Sequence, residues 1–187
     1  MHKYFEIYYF IDDFNIENLK NLPKKISIIY RNHYVKPKLS KVLLIRDFCR
    51  KNNIKFFIAN DLKFALKLKC NGVYISGFKK ILNLKNLNLP LNFEILGSAH
   101  NVPEIKIKEN QGCSKIFISP IFKTNKRYYF LGITRFNILS LTTNKSVIAL
   151  GGINENNYKK IKITKSIGLA SISWIKKNGP SKLGPLI

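Results

Sequence analysis

Eight short apolar runs, spaced fairly evenly along 187 residues, are the feature that most constrains the fold of this chain. They lie at residues 7–11, 26–30, 54–59, 72–75, 93–96, 116–119, 147–150 and 167–172. Most are continuously apolar rather than alternating, which is typical of strands buried on both faces of a parallel sheet. Helix-compatible patterns occupy several of the intervals, at residues 39–51, 61–69, 103–111 and 154–163. This alternation predicts an α/β fold, either a (β/α)8 barrel or a doubly wound sheet.

Two segments do not fit a regular alternation of strands and helices. Residues 79–90 are predicted to form an irregular or short helical crossover. Residues 176–187 contain two glycines and two prolines, so we do not expect a regular final helix there. A barrel of 187 residues is shorter than usual, and no linker or repeat divides it. The expectation is a single short domain over residues 1–187 with a truncated C-terminal helix.

Composition and the cysteines indicate the compartment in which the chain is expected to fold. It is 45% hydrophobic, which is enough for a sizeable core, but no apolar run is long enough to cross a bilayer. The amino terminus lacks the pattern of a signal peptide. Cys49, Cys70 and Cys113 are odd in number and have no metal-binding spacing. We therefore expect a cytoplasmic protein with reduced, packing cysteines and no membrane partner.

The net charge of +23, from 33 Lys and Arg against 10 Asp and Glu, invites comparison with nucleic-acid-binding proteins. The lysines, however, are spread along the whole chain, and no nucleic-acid-binding motif is present. Lys, Asn and Ile are all abundant, which indicates codon bias as one source of the charge. Nucleic acid is therefore not expected as the main partner, although a basic surface would attract a phosphorylated substrate.

Glycine and serine lie at the ends of the last two predicted strands. The run 147–150 is followed by Gly151 and Gly152, while Ser171 and Ser173 lie at the end of the next run. Glycine lets backbone N–H groups approach an anion closely, and phosphate sites of (β/α)8 barrels are built by these two loops. The alternative is an ordinary glycine turn.

Polar residues also follow two central strands. Asn60 and Asp61 end the third run, where Asp61 is either the N-cap of the next helix or a Mg²⁺ ligand. Ser98, His100 and Asn101 cluster at the end of the fifth predicted strand. They are either surface and capping residues or a group that includes a proton-transferring histidine.

Basic residues follow the second and sixth predicted strands. Arg31 comes directly after the run 26–30, and Thr124, Lys126 and Arg127 lie in the loop after the run 116–119. Arg and Lys side chains donate charge-assisted hydrogen bonds, so these residues suit the capture of phosphate. The alternative is a solvated basic loop.

Together these segments resemble the thiamine phosphate synthase/TenI superfamily, whose members are (β/α)8 barrels. The resemblance runs from Tyr8 to about Ile175, and although each motif is modest, their order and spacing are specific. The similar stretches are YYFID at 8–12, IAND at 58–61, NGVYI at 71–75, SAHN at 98–101, GCSKIFISPIFKT at 112–124, GGI at 151–153 and GLASIS at 168–173.

The resemblance implies a transferase that couples an aminopyrimidine pyrophosphate to a thiazole phosphate, giving thiamine phosphate and pyrophosphate. It implies that Arg31 and Asn60 hold the pyrophosphate, and that Asp61 holds a Mg²⁺ ion. Ser98 would lie beside the pyrimidine and the pyrophosphate. We take Arg31, Ser98 and His100 as the candidate catalytic residues.

The same resemblance assigns the second substrate to the later loops. The thiazole and its phosphate would be held by Thr124, Gly151, Gly152, Ser171 and Ser173. Lys126 or Arg127 would take the place of the basic loop residue of the family.

Two departures from the family pattern bear on the reaction. The family has Q-x-R-x-K on its second strand, whereas this chain has Ile29, Arg31 and His33, so only the arginine is kept. The family's second Mg²⁺ carboxylate lies in a G-Q-x-D segment, whereas this chain reads SGFK at 76–79. The magnesium site is therefore predicted to be incomplete. Either Lys79 neutralises the pyrophosphate instead, or the pyrophosphate chemistry has been lost.

Two alternatives to coupling follow from these departures. TenI-type members are isomerases that aromatise a thiazole carboxylate phosphate by proton transfer, for which a phosphate site and a histidine such as His100 suffice. The other alternative is a non-catalytic barrel that binds a phosphorylated small molecule. Each of these three functions is compatible with a homo-oligomer.

Overall fold

The computed structural model describes residues 5–13, 15, 19, 22, 26–32, 39–80, 84, 87–125, 128–172 and 174. Eight parallel strands close into a barrel in which each strand pairs with its neighbours in sequence and β8 pairs with β1. The strands are β1 Glu6–Ile11, β2 Ile26–Tyr30, β3 Lys55–Ala59, β4 Gly72–Ile75, β5 Glu94–Ala99, β6 Lys115–Ile118, β7 Ser146–Leu150 and β8 Gly168–Ser171. The predicted (β/α)8 barrel is confirmed, and the doubly wound sheet is excluded.

Four described α-helices pack outside the strands. They are α1 Leu39–Lys51, α2 Leu62–Lys67, α3 Val102–Asn110 and α4 Gly132–Ser140. The predicted helix at 154–163 is a 3₁₀ helix over Tyr158–Ile163 instead. No helix in the described part of the chain is long and apolar enough to cross a membrane.

Helix α4 was not predicted, and its start explains why. Gly132 opens it with a φ of +66°, and the residue at the N-cap position is Leu131, which has no side-chain oxygen to cap the helix. No acidic residue lies in its first turn. The helix is held by tertiary contacts instead, since the backbone N–H groups of Leu131 and Gly132 donate to the carbonyls of Pro120 and Ile121.

The core has two layers separated by the sheet. Residues that alternate along the strands fill the barrel interior, and the other set packs beneath the helices. The interior set is Tyr8, Phe10, Ile29, Phe57, Tyr74, Leu96, Phe117, Ile148, Leu150 and Ala170. Its aromatic rings pack edge to face, with centroids 4.9 Å apart for Tyr8–Phe117 and 5.4 Å apart for Tyr74–Phe117. Such pairs add about 0.5–1.5 kcal/mol to burial alone, so the interior is a packed core and not a channel.

An ionic cluster closes the amino-terminal end of the barrel. The Lys115 ammonium lies 2.7 Å from Glu94 and 3.0 Å from Glu6, and the Tyr8 hydroxyl donates to Glu6. Burial, the largest effect, raises the pKa of Glu94, but hydrogen bonds and charge from Lys115 and Lys55 outweigh it, and the net pKa is lowered. Burial also opposes the charged form of Lys115, yet its carboxylate partners raise its pKa. This end of a (β/α)8 barrel serves stability rather than binding.

The remaining fold predictions concern the three cysteines and two segments without regular structure. Cys49, Cys70 and Cys113 are free and buried, and burial raises the pKa of each thiol to about 12, as suits packing cysteines. In the segment 79–90, the described residues belong to no helix or strand. The predicted truncation of the C-terminal helix concerns residues 176–187, which lie outside the described residues.

Candidate functional site

A cavity of about 570 Å³ opens at the carboxyl-terminal end of the barrel. It lies between the loops that follow β2, β5, β6, β7 and β8, the end at which (β/α)8 barrels carry their binding sites. Its described polar and glycine lining is Arg31, His100, Ser119, Lys123, Thr124, Asn125, Gly151, Gly152, Asn154 and Ser171. A volume of this size suits a small-molecule ligand.

The sequence-predicted site residues divide into three groups. Arg31, His100, Thr124, Gly151, Gly152 and Ser171 line the cavity. Ser98, Asn60 and Asp61 do not, although all three lie at or near the same end of the barrel. Lys126, Arg127, Ser173 and His33 lie outside the described residues.

Arg31 is held over the top of the barrel core. Its guanidinium carbon lies 4.5 Å from the centroid of the Phe10 ring, a cation–π contact. The guanidinium also lies beside the phenol of Tyr74, which is fully buried. Burial raises the pKa of Tyr74, and the nearby Arg31 charge only partly opposes this effect. The phenol therefore stays neutral, and it orients a guanidinium whose remaining N–H donors can face the cavity.

Ser98 lies beneath the cavity and is not part of its lining. It lies within β5 opposite Phe117 of β6, because the strand extends to Ala99, three residues beyond its predicted end at 96. It is buried, and its side chain lies beside the phenol of Tyr74. Tyr74 thus connects Ser98 to Arg31. The sequence did not identify Tyr74 because its position in the strand reads as an ordinary core residue.

His100 is oriented by Glu104 from the first turn of α3. One oxygen of Glu104, Oε2, lies 2.7 Å from His100 Nδ1 and also accepts the backbone N–H of His100 at 2.9 Å. An ionised carboxylate only accepts, so Nδ1 carries the proton of a neutral ring and Nε2 is left as the basic atom. Helix α3 fixes this geometry, because Asn101 is its N-cap and accepts the backbone N–H of Glu104. The spacing of Asn101 and Glu104 matches a capping box and could have flagged Glu104 in the sequence.

Gly151 and Gly152 allow two loops to touch. They have φ values of +93° and +71°, which favour glycine. A Cβ on Gly151 would lie 2.8 Å from Pro120, and a Cβ on Gly152 would overlap the carbonyl oxygens of Phe122 and Lys123. The close approach is therefore made by the loop after β6. Among the described residues, no oxygen accepts the backbone N–H of Gly152 or Ile153, which makes these two groups candidate donors to an anion.

Asn60 and Asp61 both have structural partners. Asn60 has a φ of +63°; its Oδ1 accepts the backbone N–H of Ser76 at 2.8 Å, and its Nδ2 donates to Ser76 Oγ at 3.0 Å. Asp61 is the N-cap of α2 and accepts the backbone N–H of Phe64 at 2.9 Å. Of the two sequence interpretations of Asp61, the N-cap is the one that this geometry supports.

The segment 76–80, where the family's second carboxylate would lie, is held by a buried lysine. Nζ of Lys108 donates to the carbonyls of Ser76 and Lys79 at 2.9 Å each and to Gln111 Oε1 at 2.8 Å. Burial lowers the pKa of Lys108, and its three acceptors compensate the lost hydration. Lys79 itself is exposed and does not line the cavity.

The described residues do not form a complete magnesium site. Mg²⁺ needs an octahedral shell of oxygen atoms, commonly anchored by one or two carboxylates. Within the described ranges, no group of three His, Cys, Asp or Glu residues could hold a metal, and Asp61 already caps a helix. The absence of a second carboxylate at 76–79 agrees with this.

Comparison with known proteins identifies the family. The family model described as thiamine monophosphate synthase (TMP-TENI) matches residues 24–175, most of the chain. The chain belongs to this family. Thiamine-phosphate synthases of Coprothermobacter proteolyticus and Prochlorococcus marinus are 30% and 34% identical to it over 135 residues each. These alignments cover 71% and 70% of this chain, but only 64% and 38% of the two relatives. The chain thus spans less than two thirds of the length of these relatives.

Solved structures agree on the fold of this family member. A thiamine phosphate pyrophosphorylase from Pyrococcus furiosus superposes with a TM-score of 0.74, covering 98% of this chain and 95% of that one at 19% identity. An N-(5'-phosphoribosyl)anthranilate isomerase from the same organism superposes with a TM-score of 0.67 at 14% identity, covering 98% and 96%. At these identities the likeness establishes the barrel alone.

Proposed function

We propose that this chain is a transferase of the thiamine phosphate synthase type, which couples an aminopyrimidine pyrophosphate to a thiazole phosphate. The observation that carries the proposal is the cavity at the carboxyl-terminal rim, where Arg31 and Lys123 meet the glycine end of β7 in a member of this family. The reaction breaks the bond between the pyrimidine methylene carbon and the pyrophosphate oxygen. It forms a bond from that carbon to the thiazole nitrogen, and pyrophosphate leaves.

The described residues suit the charge that this reaction produces. The leaving pyrophosphate gains negative charge, which fixed cations stabilise without reorganising. Arg31 is already oriented by Phe10 and Tyr74, and Lys123 lies on the neighbouring loop. The thiazole phosphate would bind the N–H groups of Gly152 and Ile153 together with Thr124 and Ser171, which holds the two rings together in one cavity. On this proposal residues 1–187 act as one domain.

The direct test is a coupling assay. The purified chain is incubated with both precursors, once with excess magnesium and once with EDTA, and thiamine phosphate is quantified by chromatography. We expect product, and we expect Arg31→Gln to lower kcat/KM by roughly 10- to 100-fold, as the loss of one charge-assisted contact to an anion does. Lys67→Gln is the matched control because Lys67 is exposed and does not line the cavity. Absence of product in both conditions would reject the proposal.

A second candidate function, a TenI-type thiazole tautomerase, is favoured by the pairing of His100 with Glu104. A neutral histidine whose Nδ1 proton is held by a carboxylate presents a basic Nε2, as proton transfer at a ring carbon requires. The test uses the thiazole carboxylate phosphate alone and follows its aromatisation by ultraviolet absorbance. Turnover that is lost in His100→Asn, with no coupling by the wild type, would favour this function over the first.

A further inference from the structure

The acidic side chains near the rim of the cavity are engaged elsewhere or stay outside it. Asp13 pairs with Lys41 at 2.8 Å, Asp61 caps α2, and Glu104 holds His100. Asp12 and Glu155 are exposed and do not line the cavity. No described carboxylate therefore contributes an oxygen to the lining, although carboxylates are the ligands that anchor Mg²⁺ in proteins.

The charges that do line the cavity are positive. Arg31 lies on one side, at the end of β2, and Lys123 lies in the loop after β6, close to Gly152. A divalent cation placed between them would be repelled by both, whereas a phosphate or pyrophosphate anion would be attracted. The backbone N–H groups of Gly152 and Ile153, which have no acceptor among the described residues, add partial positive charge in the same cavity.

We propose that this cavity binds its phosphorylated ligand as the metal-free anion, with Arg31 and Lys123 supplying the positive charge that a magnesium ion supplies elsewhere. The inference deepens the proposed function, and it rests on that function for one point, which is that the ligand is phosphorylated. It also predicts competition, because magnesium complexes pyrophosphate in solution and lowers the charge that the cavity recognises.

The test is calorimetric titration of the full chain with sodium pyrophosphate, at matched ionic strength, in EDTA or in excess magnesium chloride. We expect binding in EDTA and affinity weaker by about tenfold in magnesium, the equivalent of one lost charge-assisted contact. Lys123→Gln should weaken binding in EDTA by a similar factor, and its exposed position makes misfolding an implausible cause. Arg31→Gln should do the same, with a thermal melt to verify that the variant is folded.

Two controls separate a built site from general attraction to a chain of net charge +23. Lys67→Gln removes one exposed charge away from the cavity and should leave affinity unchanged. Asp61→Asn keeps the helix cap but removes the carboxylate, and it should leave affinity unchanged in both buffers. Tighter binding in magnesium, a loss in Asp61→Asn that is confined to magnesium, or equal losses in Lys67→Gln and Lys123→Gln would each overturn the inference.

The metal-free site and the proposed function can fail separately. Coupling that requires magnesium would retain the proposed function and reject the metal-free site. Pyrophosphate binding in EDTA without any coupling would retain the metal-free site and reject the function.

Discussion

Glu104 Oε2 contacts both the backbone N–H of His100, at 2.9 Å, and the ring Nδ1 of the same residue, at 2.7 Å. A single carboxylate oxygen therefore fixes both the main chain at the end of β5 and the orientation of the imidazole. A role in positioning His100 is separable from a role in capping α3, because the cap itself is Asn101.

The first prediction concerns this pair. Glu104→Gln should shift the neutral His100 ring away from the tautomer protonated at Nδ1, because an amide can donate as well as accept. Nitrogen NMR of the labelled imidazole measures this shift directly. If His100 transfers a proton, His100→Asn should lower that rate by about 10²–10⁴-fold and Glu104→Gln by less. An unchanged tautomer in Glu104→Gln would contradict the positioning role.

The second prediction concerns the N-cap of α2. Asp61→Ala should lower the free energy of unfolding by about 1 kcal/mol, because the backbone N–H of Phe64 loses its acceptor. Asp61→Asn should lower it by a few tenths at most, since asparagine caps about as well. Urea unfolding curves of the three proteins provide the measurement. Equal losses in both variants would indicate that charge, and not capping, is what Asp61 contributes.

The third prediction concerns the ionic cluster at the amino-terminal end of the barrel. Glu94→Gln should lower the free energy of unfolding by about 1–3 kcal/mol, because it leaves the mostly buried Lys115 with one carboxylate partner fewer. The pKa of Glu94 is lowered in the folded state, so its contribution is present above the ordinary glutamate pKa and is lost as pH falls through the folded value.

Lys115 contributes in the opposite direction. Its pKa is raised, so its stabilisation is complete below the ordinary lysine pKa and disappears as pH rises through the folded value. The free energies of unfolding of the wild type and Glu94→Gln, measured with urea, should therefore differ most at pH values between the folded-state pKa of Glu94 and that of Lys115. A difference that grows toward acid pH would be inconsistent with the assignment.

The fourth prediction compares two glycines with similar backbone angles. Gly152 and Gly132 have φ values of +71° and +66°, but a Cβ on Gly132 meets no atom within 4 Å, whereas one on Gly152 overlaps the backbone at Phe122 and Lys123. Gly132→Ala should lower the free energy of unfolding by about 1 kcal/mol, because of the positive φ alone. Gly152→Ala should lower it clearly more, because the steric overlap is added to the same backbone effect. Thermal melts separate the two. Similar losses of stability in the two variants would mean that the loop after β6 moves away from the added Cβ at little cost, which would contradict this prediction.

Much of the fold could be predicted from the sequence because burial on both faces of the barrel makes the strands read as apolar runs. The bounds of β2 and α1 agree with prediction to the residue. Helix α4 could not be predicted, since contacts with Pro120 and Ile121 replace the usual start signals. Strand β5 was predicted too short because Gly97 and Ser98 lack β propensity and are held by pairing with β6.

The candidate site was predictable in its location but not in its internal partners. Strand ends in a parallel barrel converge on one rim, so Arg31, His100 and the glycines could be grouped from the sequence. The hydrogen bond of Asn60 to Ser76 and the contact of Arg31 with Tyr74 join residues in or just after different strands, and their geometry depends on register. Sequence spacing carries no information on such pairs, which is why Tyr74 was not identified.

The contacts of Gly151 and Gly152 with residues 120–123 have a consequence for redesign and for divergence. The loop after β6 is joined to the end of β7 by main-chain hydrogen bonds from Ile121 to Leu150 and from Phe122 to Gly151, and the start of α4 is joined to the same loop. The two loops and the helix start are thus one module. A chimera that imports a foreign loop after β6 should fold only if it also imports the matching end of β7, so substrate range in such barrels is expected to change by exchange of paired loops.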